Sequence, residues 1–374
     1  MMVNKSLPKP APIGSYREED VIFLLKDLSS EMIEDTTEYR ERAIQSGTHY
    51  SEMLPIEYQP TEEYVSLFHQ SLNEYKRKIA LSVAIVAEKV VKQKGLDIVI
   101  VSLARAGTPI GILIKRYLSF KYNHNVPHYS VSIIRDRGID ENAIHYIVDQ
   151  HPNRHIQFVD GWTGKGAISK ELSKACDSYK EKYQIFLDDS LAVLADPGHC
   201  APIYGTREDF LIPSACLNST VSGLVSRTVL NKQFIQDDDF HGAKFYQKLL
   251  EQDVSNFYIE VISNQFDLIQ DDLNVKIELI DQQVERQTWS GFAEIQQIQK
   301  QFQIDNIHYI KPGVGETTRV LLRRVPWKVL VKKKDDPRLA HILLLAKNRG
   351  VPVEVFENMS YSCCGLIKPM DVKR

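Results

Sequence analysis

The spacing of apolar positions changes several times along the chain. Over residues 18–29, Val21, Phe23, Leu24, Leu25 and Leu28 fall on one side of a helical wheel, which predicts an amphipathic helix. Residues 45–60 are polar, are punctuated by Gly47 and Pro55, and carry His49, Tyr50 and Glu52. Thr61, followed by Glu62 and Glu63, opens a long helical pattern whose second half, 80–91, is apolar enough for a buried helix ending at Gly95. The period then shortens. DIVIVS (97–102), HYSVSII (128–134), HIQFVD (155–160) and LAVLAD (191–196) are short runs of the kind buried on both faces of a sheet. Helical stretches separate them, reaching Tyr117, about Asp149 and, over 167–182, Lys182. Strands alternating with helices predict an α/β fold, a parallel sheet covered by helices, with ligands bound beyond the carboxyl ends of the strands.

Past Asn231 the texture changes. Residues 235–239 are acidic, and 282–305 are rich in glutamine and helical in pattern. The tail from Tyr309 is basic, with Arg319, Arg323, Arg324, Lys328 and the run Lys332, Lys333, Lys334 close together. Within it 317–324 reads as a helix, KVLVKK as a strand, 337–348 as a helix and VPVEVF as a strand. The expected organisation is a main domain over 1–250 with an N-terminal helical extension, a partly helical junction over 251–308, and a small α/β domain over 309–374.

Composition adds limits. With 374 residues, 43% of them hydrophobic and 25% charged, the chain is large enough for more than one core. A net charge of −3 argues against coating nucleic acid by bulk charge, although the basic tail escapes that average. No apolar run reaches the length of a membrane span, and the proline-bearing start MMVNKSLPKPAPIG predicts a loose leader with no signal-peptide core. Five cysteines, Cys176, Cys200, Cys216, Cys363 and Cys364, form no CxxC pair, which fits a reducing, cytoplasmic setting without membrane contact.

Two strand-end loops carry the candidate chemistry. In FVDGWTGKG, Asp160 ends a strand, and Gly161, Trp162, Thr163, Gly164, Lys165 and Gly166 form a glycine-rich turn before a helix. Backbone N–H groups in such a turn, with a hydroxyl and an ammonium beside them, suit an anion. The spacing matches neither a nucleoside-triphosphate loop nor a dinucleotide fingerprint. In SLARAGTPIG, Ala104, Arg105, Ala106 and Gly107 follow an earlier strand, and Arg105 offers a planar fork of donors. Two anion loops in one sheet predict a ligand with phosphate at two places. RDRGID, with Arg135 and Arg137, is a candidate closing loop. Asp196, at the end of the fourth run, is a further group that could face the site, whereas 214–228, with Arg227, reads as a packed turn.

VSLARAG and FVDGWTGKGA resemble the pyrophosphate and ribose-phosphate loops of type I phosphoribosyltransferases. More closely, SGTHYSEM, SLARAGTPIG, SIIRDRGID, FVDGWTGKG and IPSACLNSTVSGL are similar to a bacterial phosphoribosyltransferase-like family found with tellurite-resistance and stress genes. Its members are also labelled StiP cysteine proteases. The resemblance implies a phosphoribosyltransferase that makes or breaks an N-glycosidic bond between ribose 5-phosphate and a base-like compound. It would use phosphoribosyl pyrophosphate and magnesium, with Arg105 and Asp160 as catalytic groups and no metal ligand assigned. Val159 and Gly161 flank Asp160, so one of the two acidic residues usual in such a ribose loop is missing. A nucleotide- or RNA-binding regulator without turnover is the alternative, and a cysteine protease the second; oligomerisation stays open. The tail resembles the Pelota and kink-turn-binding superfamily, which implies structured RNA as partner. Gly313, Val314, Gly315, Glu316 and Arg319 carry the match, and Arg323 and Lys333 add charge.

Overall fold

The structure, a computed structural model, describes residues 7–281 and 286–368. Residues 1–6 of the expected leader, 282–285 of the glutamine-rich stretch and 369–374 of the tail lie outside the described residues.

Helix Glu62–Lys94 begins with Glu62 and Glu63 in its first turn and ends with Lys92 and Lys94 before Gly95, whose φ is +73°. Charges of these signs complement the helix dipole at both ends, and glycine accepts the terminal backbone conformation. Phe68, Leu72, Ile79, Val83, Val86 and Val90, spaced three, four or seven apart, are its buried side.

That side covers a six-stranded sheet in the order Ile22–Phe23, His128–Val131, Ile98–Leu103, His155–Trp162, Ala192–Ala195, Ile203–Thr206. All neighbours are parallel, with Val101 opposite Tyr129 on one side and Phe158 on the other. Alternation divides the strands between two cores. Ile98 and Ile100 pack with helices Glu62–Lys94 and Gly107–Tyr122, whereas Val99 and Val101 pack with helices Glu141–Gln150 and Ala167–Tyr183. Both faces are thus covered, as the apolar runs require.

The N-terminal reading needs correction. Residues 18–29 form no helix; the strands Ile22–Phe23 and Lys26–Asp27 lie there, the first extending the sheet edge beside His128–Val131. Val21, Phe23, Leu24, Leu25 and Leu28 are all buried, as a strand covered on both sides allows. The second run is also split: Ile133–Ile134 leaves the sheet and pairs antiparallel with Gly138–Ile139.

In the C-terminal region a four-stranded sheet runs in the order Ile310–Pro312, Cys363–Ile367, Pro326–Val331, Val353–Val355. Helices Val314–Arg323 and Ala340–Asn348 accompany it, and helix Ser290–Gln301 packs through Ile295 and Ile298 against Ile310, Leu330 and Leu366. Helix Ser255–Ser263 belongs to the main core instead, through Tyr258, Ile259 and Ile262. Val314, Leu321 and Val329 join that same core, so the C-terminal sheet is anchored to the first.

Candidate functional site

The glycine-rich loop lies at the carboxyl end of strand His155–Trp162, where sequence reasoning expects it. Much of its polar capacity is engaged within the protein. The Thr163 hydroxyl donates to Asp196 Oδ1. The Gly164 carbonyl accepts from the Tyr361 hydroxyl at 2.9 Å. Lys165 Nζ donates to the carbonyls of Ile307 at 2.6 Å and Ile310 at 3.3 Å. Burial, with Lys311 and Arg135 nearby, lowers the Lys165 ammonium to about 7. At Gly166, φ is +77° and a β-carbon would lie 2.4 Å from the Trp289 ring. The loop is therefore a seam between the two sheets.

Asp160 accepts from the N–H of Gly161 at 2.7 Å. Burial raises its carboxyl to about 7, although that N–H and Arg319 oppose the rise. Asp196 is fully buried; besides Thr163 it holds the N–H groups of Cys200 at 2.8 Å and Ala201 at 3.1 Å and pairs with Arg207. It organises the turn that follows its strand.

In the other strand-end loop, Arg105 donates from Nη1 to the Val225 carbonyl at 2.9 Å and from Nη2 to Asn218 Oδ1 at 2.7 Å. Gly107 makes room for backbone: a β-carbon there would lie 2.3 Å from the Val159 carbonyl oxygen. The charged loop is likewise pinned. Arg137 pairs with Glu52 at 2.8 Å, and Glu171, unremarked in the sequence, accepts from the N–H groups of Asp136 and Gly138 at 2.9 Å each. Arg135 accepts at its carbonyl from His49 and donates from its N–H to the Tyr50 hydroxyl at 2.9 Å. Arg135 Nη1 reaches His308 Nδ1 at 3.2 Å.

The loop read as an RNA contact turns toward the main domain. Helix Val314–Arg323 has its first N–H bound across the interface, Val314 N to Asp209 Oδ1 at 2.8 Å, and Ser362 N holds the other carboxylate oxygen at 2.8 Å. Gly313 has φ +89°, with Asp209 beside it, and Gly315 sits 3.5 Å, measured from a β-carbon position, from the Trp162 ring. Arg319 lies 4.6 Å from the centre of the Trp162 ring and 3.2 Å from Glu316. Burial works to raise Glu316, but Arg319, Lys311 and Lys165 hold it below its ordinary value. Lys333 is exposed, and the Arg323 side chain lies outside the described residues.

Between the two walls lies a cleft of about 980 Å³. Residues 104–106, Asp160, residues 162–169, Arg227, Glu316 and Arg319 all line it, so the geometry gathers most of the sequence-predicted groups. It adds Arg40, Arg349, Cys216 and His308, which reach it from elements far apart in the chain. Gly107, Arg137, Gly313 and Lys333 are not among its lining residues.

All five cysteines are buried; Cys216, 1% exposed and packed in the main core with Ser71 Oγ 3.9 Å from its Sγ, is the one among the residues lining this cleft. Burial pushes the thiols of Cys176, Cys200 and Cys364 up to about 12 and raises that of Cys363 well above its ordinary value. Such thiols are protonated at neutral pH and unreactive. His308 is lowered to about 4, chiefly by burial and then by Arg135, Lys165 and Lys311, so its imidazole is neutral. Among the described residues no group of three or more His, Cys, Asp or Glu is placed to hold a metal ion, and no helix is long and apolar enough to cross a membrane.

A helix-covered parallel sheet joined along a cleft to a smaller α/β unit defines the class: an α/β protein with a C-terminal Pelota-like domain. The family model described as "Tellurite-like stress resistance cysteine protease StiP" matches residues 14–263. The model of the PELOTA RNA binding domain matches residues 289–369. The "Cysteine protease StiP" of Acinetobacter baylyi is 36% identical over 353 residues, covering 91% of this chain and 90% of that protein. The chain belongs to the StiP family. A crystal structure of a hypothetical protein from Neisseria gonorrhoeae with bound ppGpp is also similar, at 13% identity over 33% of this chain and 68% of that one, with a TM-score of 0.21.

These matches correct the functional expectation. The family and its relative carry the name of a cysteine protease, which overturns the reading as a phosphoribosyltransferase, with its glycosyl transfer from phosphoribosyl pyrophosphate and its place in nucleotide metabolism. The loops that prompted that reading are real, but glycines and a lysine in a turn serve domain docking as readily as anion binding. The engagements of Gly164 and Lys165 are of that docking kind, whereas Thr163 is held within the main domain by Asp196.

Proposed function

We propose that the chain hydrolyses peptide bonds by cysteine chemistry in the cleft, with Cys216 as nucleophile and His308 as its proton acceptor. The observation that carries this reading is the presence of one cysteine and one histidine, Cys216 and His308, among the residues lining the cleft. The names of the family and of the Acinetobacter baylyi relative support the activity. A thiol attacks as its thiolate, so it needs a base, and a neutral imidazole is the usual one. With Arg135 donating to Nδ1, the ring proton of His308 sits on Nε2. Release of that arginine frees Nδ1 to accept the thiol proton and later return it to the leaving amine.

The test is hydrolysis of a fluorogenic unfolded protein by the full chain. Cys216→Ala should abolish it, Cys176→Ala should leave it intact, and iodoacetamide should block it in parallel with labelling of Cys216. Hydrolysis surviving Cys216→Ala, or none in the parent, overturns the assignment.

RNA binding by the C-terminal domain is a second reading, favoured by the Pelota match and by the exposed run Lys332, Lys333, Lys334. Because Glu316 and Arg319 face the cleft, this reading rests on phosphate contacts at the exposed lysines. Lys333→Ala should weaken binding of plain and kinked RNA alike and lower the salt slope by about 1. Gel shifts across a salt series that show no change would remove the lysine run from the interface.

A further inference from the structure

Among the described arginines of the cleft, Arg227 is the one with two buried guanidinium nitrogens that lack a hydrogen-bond partner. It sits in the turn after the small-residue segment and lines the cleft with part of its side chain. Its Nε and Nη2 atoms are out of solvent contact and have no hydrogen-bond partner. Arg105, by contrast, is held by Val225 and Asn218. The two unpartnered atoms are the pair that forms one edge of the guanidinium. Their N–H bonds run parallel, at the spacing of two oxygens on one carbon or phosphorus.

The charges around Arg227 point the same way. Burial lowers it to about 9, and Arg40, Arg105 and Arg324 add to the lowering, with Tyr50 opposing. The Tyr50 ring is 4.9 Å from Arg227 Cζ and 5.1 Å from Arg135 Cζ, so one aromatic ring serves two cations. Of the carboxylates that line the cleft, Glu57 accepts from the N–H and hydroxyl of Ser219, and Glu316 pairs with Arg319. Cations gathered in a sheltered place, one with a bare donor edge, are mutually repulsive until an anion joins them.

We propose that the Nε–Nη2 edge of Arg227 is a binding site for an oxyanion with two oxygens on one centre, carboxylate or phosphoryl, entering through the cleft. Binding entails turning this edge toward the open space, where Arg40 and Arg324 supply further positive charge. The proposal does not rest on the protease reading, because Cys216 and His308 take no part in it. Its test reads binding, not hydrolysis.

Full-length protein is titrated with inorganic phosphate and, separately, with acetate, each against chloride at matched ionic strength, by calorimetry and thermal unfolding. One of the two anions should bind saturably and raise the unfolding temperature above the chloride control. Phosphate alone identifies a phosphoryl group as ligand, and acetate alone a carboxylate. Arg227→Met should weaken binding at least tenfold, yet without anion it should unfold no earlier than the parent, because the lost edge had no partner. A merely structural arginine would lower that temperature. Arg227→Lys keeps the charge without the parallel edge and should also bind about tenfold more weakly. Parent-like affinity in either variant overturns the site, and so does the absence of any effect beyond chloride.

Discussion

Gly107→Ala is expected to destabilise the main domain by about 3 kcal/mol, the upper end of the usual range for forcing an extra carbon into a packed interior. The added β-carbon would fall 2.3 Å from the Val159 carbonyl oxygen and 3.0 Å from Asp160 Cα. Both obstacles are backbone of the central strand His155–Trp162, which is hydrogen-bonded to a neighbour on each side. Helix Gly107–Tyr122 would have to lift away, taking Ile110, Leu113 and Ile114 out of the core. It would also strain the bond from Ser102 Oγ to the Gly107 carbonyl. Gly164→Ala is the matched control, since its β-carbon would meet only Pro312, at 3.6 Å from Cγ and 3.9 Å from the carbonyl oxygen, both ordinary contacts. Urea unfolding should show a lowered midpoint for Gly107→Ala and a change below about 1 kcal/mol for Gly164→Ala. Equal midpoints would mean that helix and strand are not so closely applied.

The comparison of these two glycines shows what the sequence could and could not convey. Both stand in small-residue loops after strands, and both invite a reading as room for a ligand. One admits a neighbouring strand, and the other admits the C-terminal region. A glycine reports that something comes close, not what it is. The main sheet was legible because runs such as DIVIVS are β-branched and too short for helices. Residues 18–29 misled because a brief apolar run fits both periods. Strand Cys363–Ile367, central to the C-terminal sheet, gave no signal: Cys363, Cys364 and Gly365 carry little strand preference.

The site was legible as a set of residue types at strand ends, and most of those residues do line one cleft. Their partners were beyond reach. Lys165 meets Ile307 across 142 positions, and Arg105 meets Asn218 across 113. No local pattern encodes which group at such a distance takes up a donor. Arg227 was visible, but as part of a packed turn; its bare edge appears only when every neighbour has been placed. The reaction was the least legible part, since anion-binding loops and docking seams draw on the same glycine, hydroxyl and ammonium.

Asp209 carries the second large effect, because it joins the two sheets through one buried carboxylate. Its Oδ1 accepts from Val314 N at the start of helix Val314–Arg323, and its Oδ2 accepts from Ser362 N just before strand Cys363–Ile367. The carboxylate therefore caps a helix supplied by the other sheet, where a negative charge also complements the helix dipole. Asp209→Ala leaves two buried N–H groups without partners and opens a gap beside Gly313, so a loss of about 3 kcal/mol is expected. Burial raises the Asp209 carboxyl to about 6, against the N–H groups that favour its charged form. A carboxyl whose folded value lies above its unfolded one near 4 contributes most below that unfolded value and loses the contribution as pH rises through about 6. The penalty of Asp209→Ala should therefore be larger at pH 5 than at pH 8, by about 1.4 kcal/mol. Asp209→Asn also removes the titrating group, so its penalty should shrink toward pH 8 by the same amount, although its amide donor must face one of the two N–H groups. Urea unfolding of the three proteins at both pH values, followed by the fluorescence of Trp162, Trp289 and Trp327, measures each difference. A penalty that grew toward pH 8 would mean that the charged carboxylate is the favoured partner of the helix and that burial does not govern its titration.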